Sequence, residues 1–169
     1  MPHLAWTTLR PAGAIATALL VTALSTGCKP TKLNEEMVQD MINTGLNASA
    51  NRNATVLCDQ IAEDADIRLV VFKFSGSDIR TFSKAQWCDY LRESFAQSEG
   101  TGLSVSVHMN IQSMTIAPNG KTADFSADVV EEAGVGGRTL MRMNSKHTYT
   151  VELRKGKPVY TRLSARYTG

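Results

Sequence analysis

The chain has 169 residues, with 18 basic side chains against 16 acidic ones and a formal charge of +2 near neutral pH. So close a balance, with no basic patch along the chain, argues against nucleic acid as a partner. Three cysteines without a CxxC pair, and no His/Cys/Asp/Glu set at metal-ligand spacing, argue against a redox or metal centre, and no cofactor is expected.

The first residues follow a three-part pattern. Met1 to Arg10 is polar with one positive charge, Ala12 to Leu24 is an apolar run, and Ser25-Thr26-Gly27 is a small-residue exit. The apolar run falls short of the roughly 20 residues that span a bilayer. Pro11 and Gly13 spoil it as a buried helix. It reads as an export signal ending at Gly27. Leu24-Ser25-Thr26-Gly27-Cys28 resembles the lipobox of bacterial lipoproteins, with Ser25 where that family usually has Leu. The resemblance implies a diacylglycerol on the Cys28 thiol and an acylated new amino group. The membrane is then a partner through a lipid anchor, and the protein sits at the cell envelope. Lys29 after the cysteine implies outer-membrane sorting, facing the periplasm, in a Gram-negative host. Ordinary signal-peptidase cleavage after Gly27 stays open, because Ser25 and Gly27 also satisfy its small-residue rule.

Residues 28–32 then read as a short tether and 33–169 as one domain, long enough to bury a core. Cys58 and Cys88 are the two cysteines left in it. An even pair in an oxidising compartment predicts a disulfide, the alternative being two buried thiols that behave as small apolar residues.

A first helix is predicted from Leu33 to Ala50, with Met37, Met41, Gly45 and Leu46 on one side. Asn51-Arg52-Asn53 breaks it, and Asn53 can cap a short second helix holding Val56, Leu57, Cys58 and Ile61. The β-branched and aromatic run Ile67 to Phe74 reads as a strand, turned by residues 75–78 into a shorter one, Ile79 to Phe82. Ser83-Lys84-Ala85-Gln86 is a capping box that opens a third helix, with Trp87, Leu91, Ser94 and Phe95 on one face and Tyr90 beside it.

The remainder reads as strand and turn. Leu103 to Ile111 alternates apolar with polar, and the alternation slips at Ser113-Met114 as a bulge would make it do. Pro118-Asn119-Gly120 is a turn. Ala123, Phe125, Ala127 and Val129 then share an apolar face, a glycine-rich hairpin follows at Gly134 to Gly137, and strands run from Thr139 to Arg154 and from Val159 to Tyr167. Three helices and a four-strand antiparallel meander predict an α+β domain, with the helices packed on one face of a curved, mainly antiparallel sheet.

This element order, the segment Asn119-Gly120-Lys121-Thr122-Ala123-Asp124 and the ending Tyr149 to Leu163 are similar to the NTF2-like (SnoaL-like) superfamily over roughly residues 33–167. Members often end in a Gly-x-Trp hairpin, whose Trp place is taken here by Pro158. The resemblance implies a cone enclosing a pocket, which in the family's enzymes holds an acidic or histidine base with a Tyr or Asp donor.

On the long strand, Met141, Met143, Val151 and Leu153 mark the inner face, and Ser145, His147 and Tyr149 share their parity. His147 is the candidate pocket base, with Tyr149 or Tyr90 as donor. The plainer reading is a buried histidine bonded to a backbone carbonyl beside a packed Tyr ring, since a lone His with no acidic partner on its strand is common in cores. His108, Asp124 and Asp128 fall on the wet face, and Asp59, Asp64 and Asp66 near the expected entrance. The leading expectation is a non-catalytic envelope lipoprotein that binds a small apolar or amphipathic ligand, or an envelope protein. The rival is a small isomerase, cyclase or dehydratase using His147.

Overall fold

A computed structural model describes residues 30–73 and 76–168, so the export segment and Cys28 lie outside the described residues. The helices start where side chains can satisfy the first free amides. Asn34 accepts from the Met37 amide at 2.8 Å to open α1 (Glu35–Ala50), whose first turn carries Glu35 and Glu36 against the positive end of the helix dipole. Asn53 accepts from the Val56 amide at 3.1 Å to open α2 (Ala54–Asp59). The reciprocal box of Ser83 and Gln86 opens α3 (Lys84–Ser98).

Six strands form one sheet: β1 (Ile61–Lys73), β2 (Gly76–Phe82), β3 (Leu103–Ile116), β4 (Thr122–Val135), β5 (Arg138–Arg154) and β6 (Lys157–Thr168), ordered β2-β1-β6-β5-β4-β3. Every neighbouring pair is antiparallel except β1 and β6. The meander and the α+β class agree with the sequence reading. The start of β1 does not. Ile61, expected in the second helix, pairs with Tyr160, and the Tyr160 amide donates to the Gln60 carbonyl at 2.8 Å. Ile61 is buried, and the strand supplies its backbone with a partner on β6, so the long-range ladder overrides local helical pattern. β2 likewise begins at Gly76 rather than Ile79, because its pairing with β1 continues to Lys73 opposite Gly76.

The expected bulge on β3 is present, with the register slipping between Ile111 and Ser113. Gly136 and Gly137, at φ 58° and 80°, close the β4–β5 hairpin as a two-residue turn that L side chains resist. A Cβ on Gly134 would stand 2.3 Å from the Arg138 carbonyl oxygen, so only glycine allows that approach.

One end of the domain is packed solid. Leu33, Val38, Ile67, Ala123 and Val151 are at most 5% exposed there, and burying each larger aliphatic side chain contributes about 1.5–3 kcal/mol. The end of the segment read as a short tether lies against this end. The Leu33 amide donates to the Gly120 carbonyl at 2.7 Å, and Lys121 Nζ to the Thr31 carbonyl at 2.8 Å. Cys58 and Cys88 form a disulfide, with Cα atoms 5.6 Å apart, that ties α2 to α3.

Candidate functional site

Away from the packed end, the three helices stand off the sheet and leave a cavity of about 290 Å³. That is at the low end of small-molecule pockets, roughly 300–1,000 Å³. Its walls follow from strand parity: Val129 and Glu131 of β4, His147 and Tyr149 of β5, and Leu163, Ala165 and Tyr167 of β6 all point the same way. α3 contributes Trp87, Tyr90, Leu91 and Phe95 from the face that its sequence spacing marks. Tyr90 and Val105 are each 44% exposed while lining the cavity, which puts its mouth between α3 and the first residues of β3.

The buried polar groups form a chain. Tyr149 Oη lies 2.7 Å from His147 Nδ1, Ser145 Oγ lies 2.8 Å from His147 Nε2, and the same Oγ lies 3.5 Å from the Val129 carbonyl. One assignment places every proton: the phenol donates to Nδ1, Nε2–H donates to Ser145, and the serine proton faces Val129. The reverse would leave the phenol proton without an acceptor among the described residues. Desolvation pulls the His147 pKa down to about 4, so the ring is neutral near neutral pH and its one lone pair is taken by Tyr149. Burial holds the Tyr149 phenol well above its ordinary value.

Glu131 is the polar group that the sequence reading missed. It lines the cavity and accepts from Tyr167 Oη at 3.3 Å. Desolvation raises its pKa, against a smaller lowering by that hydrogen bond. Burial first, then the nearby Glu131 and Tyr90, hold the Tyr167 phenol above its usual value. The signal for Glu131 was available, since it continues the inner-face parity of Ala123 to Val129 by one more step. The alternation of Leu163 and Ala165 leads to Tyr167 in the same way.

The other expected residues divide. His147, Tyr149 and Tyr90 all line the cavity, but Tyr90 joins the aromatic wall, stacked on Trp87 at 5.5 Å, and is absent from the His147 chain. Asp59, Asp64 and Asp66, expected near an entrance, do not line it: Asp64 pairs with Arg154, and Asp66 stands 4.0 Å from Arg162. Met141, assigned to the inner face, is 51% exposed, as β5 there runs beyond the cover of the helices. His108 and Asp124 are exposed as expected. No group of three or more His, Cys, Asp or Glu suited to a metal occurs among the described residues.

No family model matches the chain, and no curated sequence is a significant match. Solved structures are similar to it. An NTF2-like protein from Cytophaga hutchinsonii superposes with a TM-score of 0.56 at 13% identity, covering 80% of this chain and all of its own. An NTF2-like protein with a cystatin-like fold from Novosphingobium aromaticivorans gives 0.59 at 15% identity, over 78% of this chain and 79% of its own. This is the NTF2-like fold. A hexachlorocyclohexane dehydrochlorinase of the LinA type from Novosphingobium barchaimii shares it, with a TM-score of 0.58 at 14% identity over 79% of this chain and 86% of its own. Identities this low speak for the fold alone, and NTF2-like chains with so little sequence in common carry their function in the side chains of the pocket.

Proposed function

We propose that this protein is an exported, lipid-anchored binding protein whose NTF2-like domain takes up a small apolar or amphipathic molecule without transforming it. The cavity carries the reading: it is of ligand size, its walls are mostly apolar, and the one histidine inside has both ring nitrogens engaged by its own strand. A general base needs a free lone pair within reach of its proton, and His147 has spent its own on Tyr149. Attachment through Cys28 rests on the export pattern and the lipobox resemblance of residues 24–28.

The tether gives the domain an orientation. Thr31 and Leu33 are clipped to the β3–β4 turn at the packed end, and in sequence Lys29 and Pro30 lie between Cys28 and Thr31. From that turn β3 runs back to Val105 at the mouth, roughly 35 Å at the usual rise per residue. A chain anchored at Cys28 would hold its packed end to the bilayer and its mouth to the aqueous side. Ligand then exchanges with solvent or with a partner envelope protein, and lipid is not the direct source.

A second reading has one observation in its favour. Glu131 and His147 line the same cavity, so a carboxylate and a histidine stand together as an isomerase, cyclase or dehydratase would require. Against it, each is held by its own tyrosine and no hydrogen bond joins them among the described residues.

Native mass spectrometry of the chain purified from its own host tests the proposal. The expected result is a noncovalent small molecule, released unchanged by organic solvent, on a chain bearing acyl groups that Cys28→Ala removes. Conversion of the released molecule on incubation with the protein would support the enzyme instead. An unacylated wild type, with Cys28→Ala distributing identically between membrane and soluble fractions, would defeat the anchor.

A further inference from the structure

The charge inside the cavity is one-sided. Glu131 is the one acidic residue in its lining, and neither lysine nor arginine lines it among the described residues. The sheet explains this. On β5 and β6 the cations Arg142, Lys146, Arg162 and Arg166 occupy the alternate positions and belong to the outer face, where Arg142 stands 3.6 Å from Glu132. Glu131 faces Val107 on one neighbouring strand and Met143 on the other, and has no salt bridge among the described residues.

Its surroundings are aromatic. Trp87 and Tyr90 stack at 5.5 Å on the helical side, and Tyr149, Tyr160 and Tyr167 line the sheet side. Ring faces are electron-rich and attract cations, Trp most strongly. A half-buried carboxylate set among such rings, with no salt bridge to a protein cation among the described residues, is complementary to a positive ligand and repels a negative one. His147 does not upset the balance, because it is neutral near neutral pH.

We infer that the ligand is a small apolar molecule carrying a single protonated amine, its ammonium set against the Glu131 carboxylate and its carbon frame lodged between the rings of α3 and the sheet. The inference rests on the cavity being a small-molecule site. It accounts for a feature that simple apolar binding does not, a half-buried carboxylate whose hydrogen-bond donor, Tyr167, is neutral. The Tyr167 hydroxyl fixes one carboxylate oxygen and leaves the other for the ammonium.

Fluorine NMR on the full chain in detergent can test this with a matched set: 4-fluorophenethylamine, the neutral 4-fluorophenethyl alcohol, the anion 4-fluorophenylacetate, and fluorobenzene as a charge-blind probe of the cavity. Each is measured on wild type and on Glu131→Gln, a substitution that keeps shape and removes charge. The amine should bind roughly tenfold or more tightly than the alcohol, as expected for one charge-assisted contact. The anion should bind least, and Glu131→Gln should abolish the amine's advantage while leaving fluorobenzene unchanged. Fluorobenzene binding with no preference for the amine, or a preference that survives Glu131→Gln, overturns the amine inference and leaves the cavity reading standing. If none of the four binds wild type, both are wrong.

Discussion

The phenol of Tyr149 sits 2.7 Å from Nδ1 of His147, while its ring stacks on Phe125 at 4.5 Å. The two contacts give the residue separate tasks: the ring belongs to the packed end of the domain, and the hydroxyl fixes the tautomer of the histidine in the hollow end. Tyr149→Phe should keep the stacking and strand His147 Nδ1, at a cost of about 1–2 kcal/mol in unfolding free energy. Nitrogen NMR of wild type should show a neutral ring protonated at Nε2. A ring protonated at Nδ1, or a silent Tyr149→Phe, would contradict the chain of bonds described.

Stability should fall in mild acid because of His147. Its folded pKa is depressed to about 4 from an ordinary 6.5, so between those values the unfolded chain binds more protons than the native one. The contribution is fully present above about pH 6.5 and is lost as the pH falls towards 4, amounting to about 3 kcal/mol. Chemical denaturation across that range should show the slope in wild type and a shallower one in His147→Gln.

Glu131 acts with the opposite sign. Its folded pKa is raised by desolvation, so the favourable state is the protonated one, and stability is lost as the pH climbs through the folded value. Glu131→Gln should therefore melt above wild type near neutral pH, with the gap closing at pH values below the ordinary carboxylate range. A carboxylate that weakens the fold where the protein works is the cost expected of a binding group.

The Cys58–Cys88 disulfide closes a loop across 30 residues. On the chain-entropy account it contributes about 3–4 kcal/mol. Replacing both cysteines with serine should lower the melting temperature and loosen α2 against α3 first, which hydrogen exchange would register as faster exchange in α2. Unreduced, unfolded wild type should show neither of these two thiols reactive.

Much of the fold could be read from local chemistry, because it is written in local chemistry. Asn53 caps a helix, Ser83 and Gln86 form a box, and the apolar alternation of Ala123 to Val129 gives a face. The pairing of β1 with β6 was not legible, since Ile61 and Tyr160 are brought together by the whole topology and neither announces the other. The site was half legible. Parity placed Ser145, His147 and Tyr149 inside, but single-strand parity cannot say that Glu131 of β4 and Tyr167 of β6 meet across β5. His147 has no acidic partner on its own strand, as expected, and the acid that shares its cavity comes from β4. The hollow was expected from the family resemblance alone, because it depends on how far the helices stand off the sheet, which no residue pattern states.

Ligand binding requires that hollow to accept a guest. Methyl NMR of the full chain during a fluorobenzene titration tests it most directly, since an apolar cavity of roughly 150 Å³ already suffices for benzene. The prediction is saturable shifts at Leu46, Leu91, Val129 and Leu163 around the cavity, none at Val38 and Val151 in the packed end, and loss of the effect in Val107→Phe, which fills the space. Shifts spread over the outer sheet face, or none at any concentration, would contradict it.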